Sequence, residues 1–284
     1  MKWLVSTIML LFNTLVFPYV GSPAQPAPEP VPQPPPAAAV QPEPAPEPEP
    51  VPEPNPANTR LYVLMYHHII PEGGKYNSWM VTDVRLREDL EWLSGHGYVT
   101  VLPSQLAAGE PLPERAVMLT FDDGYRSNYQ LAYPLLQEYQ ARAVISVIVK
   151  YIQDEDPYFL TWDMCREMAR SGLVEIGSHT FACHDEGEHG IKRRKGESRE
   201  EYEARVLPDL QASIDLITEH VGTAPRFFAY PNGKTEEWAR DFIREHFAVT
   251  VITRHGSWDI SNGLYNMKRC NVSMDEPVSK FLPS

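Results

Sequence analysis

The chain has 284 residues, with 25 Lys and Arg against 38 Asp and Glu, a formal net charge of -13. That charge excludes a nucleic-acid partner, because phosphate binding needs a basic face. Its 3 cysteines, Cys165, Cys183 and Cys270, are too few for a disulfide framework, so the fold must hold by packing, with at most one bonded pair.

Residues 1–21 set one lysine before an apolar run from Trp3 to Val20. This is the layout of a secretory signal, and it is also long enough to stay as a single membrane anchor. The expectation is an extracytoplasmic protein, secreted or anchored at the cell surface, with membrane contact confined to this segment. Residues 22–57 carry more than half of the 28 prolines. Proline at nearly every second position favours polyproline II, a semi-rigid spacer reaching roughly 100 Å at about 3.1 Å per residue. Residues 58–284 then form the folded domain, expected to act as a monomer.

From Arg60 onward, short β-rich runs alternate with amphipathic helices. "LYVLMYHHI" reads as a strand, and "VRLREDLEWLSGHGY" as a helix with Leu86, Leu90 and Leu93 at helical spacing and a glycine stop. "YVTVL" is the next strand, followed by "AVMLTFDD", a helix over 128–139, the strand "AVISVIV", the helix "TWDMCREMARSG" and the strand "LVEIGSH". A charged helical region over 197–221 is expected to break at Pro208, because proline removes a helix donor. "RFFAY", the helix "TEEWARDFIREHF", "AVTVIT" and "YNMKRCNVS" complete the series. Strand-helix alternation is the parallel-sheet signature, and seven or eight strand units predict a closed or nearly closed β/α barrel, with a doubly wound open sheet as the alternative. In both architectures function gathers at the carboxyl ends of the strands, where "YHHI", "DDG", "SHT" and "YPNG" stand.

Two carboxylates at the tip of a buried strand, Asp122 and Asp123, are costly to desolvate unless a cation or a reaction compensates. In "GSHTFACH", His179 and His184 lie five residues apart across a turn, so both imidazoles can reach one point. With one carboxylate they make a His2Asp facial set, leaving positions open for water and substrate as a catalytic metal site requires. Adjacent residues of an extended chain point to opposite sides, so a bend at Gly124 and a division of labour are expected. One carboxylate binds the ion and its neighbour accepts a proton.

"LTFDDGY" and "GSHTFACH" together resemble the first two motifs of the polysaccharide deacetylase family, the NodB-homology domain of carbohydrate esterase family 4. The resemblance runs over roughly residues 60–282 and implies a distorted (β/α)7 barrel. It implies Asp122 as general base, with Asp123, His179 and His184 as ligands of one divalent ion, zinc first and cobalt, nickel or iron also fitting. The histidine-ending strand "LYVLMYHHI" precedes "TFDDGY" here, an order similar to the circularly permuted branch that includes secreted poly-N-acetylglucosamine deacetylases of biofilm systems. His67 is then implied as general acid to the leaving amine, its protonated form favoured by nearby carboxylates. His68 is expected to point away if the strand is regular. The "YPNG" turn, Tyr230, Pro231, Asn232 and Gly233, is implied to bind substrate, with the Asn232 backbone N–H stabilising the oxyanion.

Two departures from the family pattern stand out. Ala229 occupies the place of an arginine that tethers the base, leaving Arg269 or Arg226 for that role, and Asn232 replaces a usual aromatic. His189, in the charged loop "EGEHGIKRRK", reads as solvated rather than as a third ligand. The expected substrate is an N-acetylglucosamine-containing polysaccharide, poly-N-acetylglucosamine or peptidoglycan, with cleavage of an acetyl ester as a lesser alternative. A two-carboxylate glycoside hydrolase is disfavoured, because it needs acids about 5 to 9.5 Å apart and leaves both histidines idle. A non-catalytic wall-binding protein on the same fold is the other rival.

Overall fold

The computed structural model describes residues 58–284, so the export segment 1–21 and the proline-rich spacer 22–57 lie outside the described residues. Seven strands form the scaffold: β1 (Arg60–Tyr66), β2 (Ala116–Phe121), β3 (Ala143–Val147), β4 (Val174–Ser178), β5 (Phe227–Ala229), β6 (Val249–His255) and β7 (Met267–Asn271). Each pairs in parallel with the next in sequence, and β7 pairs with β1, closing the ring. This is the expected (β/α)7 barrel. It is distorted where β4 and β5 share the single register pair Ser178 with Phe228, and at the irregular register of β6 with β7.

Alternation along the strands sorts side chains between two cores. Leu61, Val63, Met118, Val144, Phe227 and Met267 pack together in the interior. Leu64, Val117, Leu119 and Ile145 belong to the second core, with Leu86, Leu90 and Leu93 of the helix Asp83–Gly95. Every residue of β2 and β3 is buried, as expected of parallel strands covered on both faces.

"YVTVL" shrinks to Val99–Thr100, which pairs with β2 outside the ring, because Pro103 opens a short helix at once. The segment 128–139 starts as a wide π-helical turn before the helix Tyr133–Glu138. The expected break at Pro208 does not occur: one helix runs Arg199–Val221. Proline costs that helix one hydrogen bond, while Tyr202, Val206, Leu210, Ile214 and Ile217 bury its face on both sides of the proline, so packing outweighs local propensity. A Ser198–Glu201 capping box starts it and Gly222, at φ 90°, ends it. No helix among the described residues is long and apolar enough to cross a membrane.

Candidate active site

The interior alternation continues past the last apolar layer and turns polar. Asp122 and Thr120 follow Met118, Ser146 follows Val144, and Arg269 follows Met267, so three strands point polar groups at one place. Arg269 is fully buried and grips Asp122 with two parallel bonds, Nη1 to Oδ1 at 2.8 Å and Nη2 to Oδ2 at 2.7 Å. Its remaining donors reach Thr120 Oγ1 and the Ile252 carbonyl, both at 3.1 Å, and Ser146 Oγ donates to Asp122 Oδ1 at 2.8 Å. Burial alone pushes the Asp122 carboxyl up, but the Arg269 charge beside it prevails and holds it well below the usual carboxylate range.

Of the two candidate arginines, only Arg269 reaches Asp122. Arg226 precedes β5 at its amino end and lines a cleft with Thr223 and Glu245, while functional groups occupy the carboxyl ends.

Asp123 would face the opposite side of a regular strand, yet the backbone turns over at Asp123 itself (φ 72°) and at Gly124 (φ 78°). A Cβ on Gly124 would stand 2.9 Å from Val147 Cγ1, so only glycine fits the turn. The reversal brings Asp123 Oδ1 within 3.5 Å of His179 Nε2 and 3.6 Å of His184 Nε2. One ligand atom from each residue lies within 4.8 Å of the others, and among the described residues this is the one such group. His179 Nδ1 donates to the Ala229 carbonyl at 2.7 Å, which leaves the Nε2 lone pair aimed at Asp123. The Thr180 hydroxyl accepts from His184 N at 3.2 Å.

Burial lowers the pKa of His179 to about 3 and lowers that of His184, so both rings are neutral near pH 7. Burial, reinforced by the Asp122 charge, raises Asp123 to about 7. Two neutral imidazoles and a carboxylate that is unfavourable without a counter-charge form a donor set suited to a divalent ion.

Backbone strain collects here. Asp123, Thr180 and Asn232 adopt positive φ of 72°, 75° and 54°, each at the carboxyl end of a barrel strand. Such conformations cost about 1–3 kcal/mol each and persist where the surroundings impose them.

A cavity of ≈ 280 Å³ opens over these groups, lined by His67, His68, Trp79, Tyr125, Tyr230, Asn232 and Thr253 together with the carboxylates and imidazoles. His67 Nδ1 is buried without a hydrogen-bond partner, and the ring meets Trp79 edge-on at 4.8 Å. The expectation that nearby carboxylates keep His67 protonated fails. Burial outweighs the attraction of Asp122 and lowers its pKa to about 4. His68 does not point away either. The strand is interrupted at His67, a new one starts at His68 and pairs with Met80–Thr82, and the His68 ring turns into the cavity to stack on Tyr125 at 4.6 Å.

In the "YPNG" turn, Tyr230 and Asn232 line the cavity and Pro231 is buried, while Gly233 sits so tightly that a Cβ would meet Thr253 Oγ1 at 2.2 Å. His189 is exposed and outside the ligand group. None of the three cysteines forms a disulfide, and all are buried, Cys183 within the core of the long helix.

Ser146, Tyr125 and Thr253 were not singled out from sequence. Ser146 left a trace as the lone polar residue of an apolar strand, whereas the other two sit in a loop or near a strand end with no periodic signal. A larger cleft, ≈ 690 Å³, lies at the amino end of β1 beside Arg60 and Arg115, with no ligand group among the described residues.

Comparison with known proteins agrees with this geometry. The family model for polysaccharide deacetylases matches residues 109–249. The YxkH protein of Bacillus subtilis (strain 168), whose name assigns it provisionally to the polysaccharide deacetylases, is 30% identical over 228 residues, 78% of this chain and 75% of its own length. A poly-β-1,6-N-acetyl-D-glucosamine N-deacetylase of Escherichia coli (strain K12) is 30% identical over 218 residues, 64% of this chain and 32% of its own length. The chain thus spans about a third of the length of the Escherichia coli relatives it matches. Among solved structures, a de-N-acetylase from Aggregatibacter actinomycetemcomitans superposes with a TM-score of 0.68 at 27% identity, covering 78% of this chain and 98% of that one. With the barrel, the ligand group and these matches in agreement, the chain belongs to the polysaccharide deacetylase family.

Proposed function

We propose that the chain is a metal-dependent hydrolase that removes N-acetyl groups from an extracytoplasmic polysaccharide containing N-acetylglucosamine, poly-β-1,6-N-acetylglucosamine first. One observation carries the reading: Asp123, His179 and His184 converge within 4.8 Å beside an Asp122 held in place by Arg269. In this reading Asp123, His179 and His184 hold one divalent ion, zinc by preference, with cobalt, nickel or iron also suited to the donor set. When bound, that ion supplies Lewis acidity toward the attacking water and the amide carbonyl.

Asp122 is the general base. It is ionised at working pH, and Arg269 and Ser146 fix its orientation, so it accepts the proton of the water that attacks the acetamide carbon. The backbone N–H of Asn232, in the turn from Tyr230 through Pro231 to Gly233, serves as donor to the developing oxyanion. His67 is the general acid. Burial keeps it neutral at rest, and negative charge growing on the carbonyl oxygen raises its proton affinity, so it takes up a proton from solvent during attack and passes it to nitrogen as the C–N bond breaks, while Asp122 returns to solvent the proton it accepted from water. Acetate and a free amine are the products. The cavity of ≈ 280 Å³ suits one sugar with its acetamido group, and Trp79, 48% exposed beside His67, offers an aromatic face to the ring. Residues 1–57, with their apolar start and proline-rich stretch, favour delivery outside the cytoplasm.

Acetate release from purified poly-β-1,6-N-acetylglucosamine, peptidoglycan and chitin oligomers tests the reading. Release from the first, lost in Asp122→Asn, is expected. Equal turnover of all three overturns the substrate preference, and no release from any of them with zinc, cobalt, nickel or iron present overturns the activity.

A further inference from the structure

The segment between the two ligand histidines lies beyond the sheet, since β4 ends at Ser178. It is secured from two other elements. On one side its carbonyls accept from the helix Val149–Gln153, Thr180 O from Val149 N at 3.2 Å and Phe181 O from Lys150 N at 2.9 Å. On the other, three consecutive amides converge on a single carboxylate of the long helix Arg199–Val221. Phe181 N donates to Asp209 Oδ1 at 3.0 Å, and Ala182 N and Cys183 N donate to Oδ2 at 2.8 and 3.1 Å. The Cys183 thiol bonds to the same carboxylate. Asp209 touches neither imidazole, but its last amide partner is joined by one peptide bond to His184.

An acceptor-only side chain with two oxygens is what three parallel N–H donors need. A carboxamide in its place would turn an NH2 group toward at least one of them. The loop also holds Thr180 at φ 75°, a conformation that persists only if something external imposes it.

We propose that Asp209 is a positioning residue of the metal centre: by clamping the amides of 181–183 it holds His184 at the separation from His179 and Asp123 at which all three share one ion. The inference rests on the reading of those three residues as ligands. With the clamp in place the ion meets a loop that is already ordered. Without it, binding has to order the loop, and affinity falls.

The test uses the full chain, stripped of metal and titrated with Co2+, read by the visible absorption of the bound ion and by competition with a chelator. Wild type binds one ion. Asp209→Asn is expected to bind it about 10- to 100-fold more weakly, with an altered spectrum, the range typical of lost support behind a ligand. Asp215→Asn, exposed on the same helix and bonded only locally to Gln211, binds as wild type does. Equal affinity and an equal spectrum for Asp209→Asn and wild type overturn the proposal while leaving the ligand reading intact. A wild type that binds no Co2+ removes the ligand reading and this inference with it. Should Asp209→Asn fail to melt cooperatively, amide hydrogen exchange on metal-free wild type decides: protection of the amides of 181–183 supports the clamp, and exchange at the rate of an open loop overturns it.

Discussion

Asp122 and Asp123 are neighbours in sequence with opposite electrostatic fates. Arg269 keeps the first ionised, while burial and the negative charge of Asp122 drive the second toward its neutral form. A cation beside Asp123 relieves the mismatch, in keeping with the proposed division into one base and one ligand. The role of Arg269 yields a two-part prediction. Arg269→Lys keeps the charge but loses the fork, so Asp122 is no longer aimed, and acetate turnover should fall by about 100-fold with little change in fold. Arg269→Met strands a buried carboxylate and should destabilise the domain by about 3–5 kcal/mol in denaturant unfolding. Unchanged turnover in the lysine variant contradicts the orienting role. Sequence exposed Asp122, Asp123, His179 and His184 because charge at the end of an apolar run is conspicuous. The choice of Arg269 over Arg226 was not legible, since one lies within a short strand and the other just before one, and only barrel closure reveals which end each occupies. His68 was misread because the strand interruption at His67 has no signature in residue type.

At the level of elements, the turn after β2 and the helix Asp83–Gly95 each carry a testable consequence. Gly124→Ala places a Cβ against Val147 at a φ of 78°, and should cost about 1–3 kcal/mol of stability and displace Asp123. Stability and Co2+ affinity equal to wild type contradict the account of this turn. Within the helix, Asp89 is buried, accepting from Tyr66 Oη at 3.1 Å and from Val278 N at 3.2 Å, and burial raises its pKa from 3.8 to about 6. The folded state therefore favours the protonated form. That contribution is fully present below the unfolded value and is lost as pH rises through about 6. Asp89→Asn does not titrate, so its stability relative to wild type should improve by about 2 to 3 kcal/mol between about pH 4 and pH 7. A difference that stays flat across this range, measured by denaturant unfolding at each pH, contradicts it. Periodicity found the strands and most helices, because burial on one face leaves a period that needs no tertiary information. It misjudged "YVTVL" and Pro208 for the same reason: an edge position and a well-packed helix are decided by neighbours distant in sequence.

The molecule as a whole is needed to build the site. His67 and Arg269 fall outside the matched stretch 109–249; one sits just past the first barrel strand and the other within the last, and these two strands pair with each other. Closure of the ring therefore brings the proposed acid and base to one cavity, with the proposed base-orienting Arg269 buried behind Asp122. Alternation of strand and helix made a closed barrel legible, but not which strand ends meet across it. The most direct measurement is acetate release from poly-β-1,6-N-acetylglucosamine by one preparation as purified, after exhaustive chelation, and after return of a single equivalent of zinc. The account predicts activity, loss and recovery in that order, with no recovery in His179→Ala. Full release by the chelated protein would contradict it.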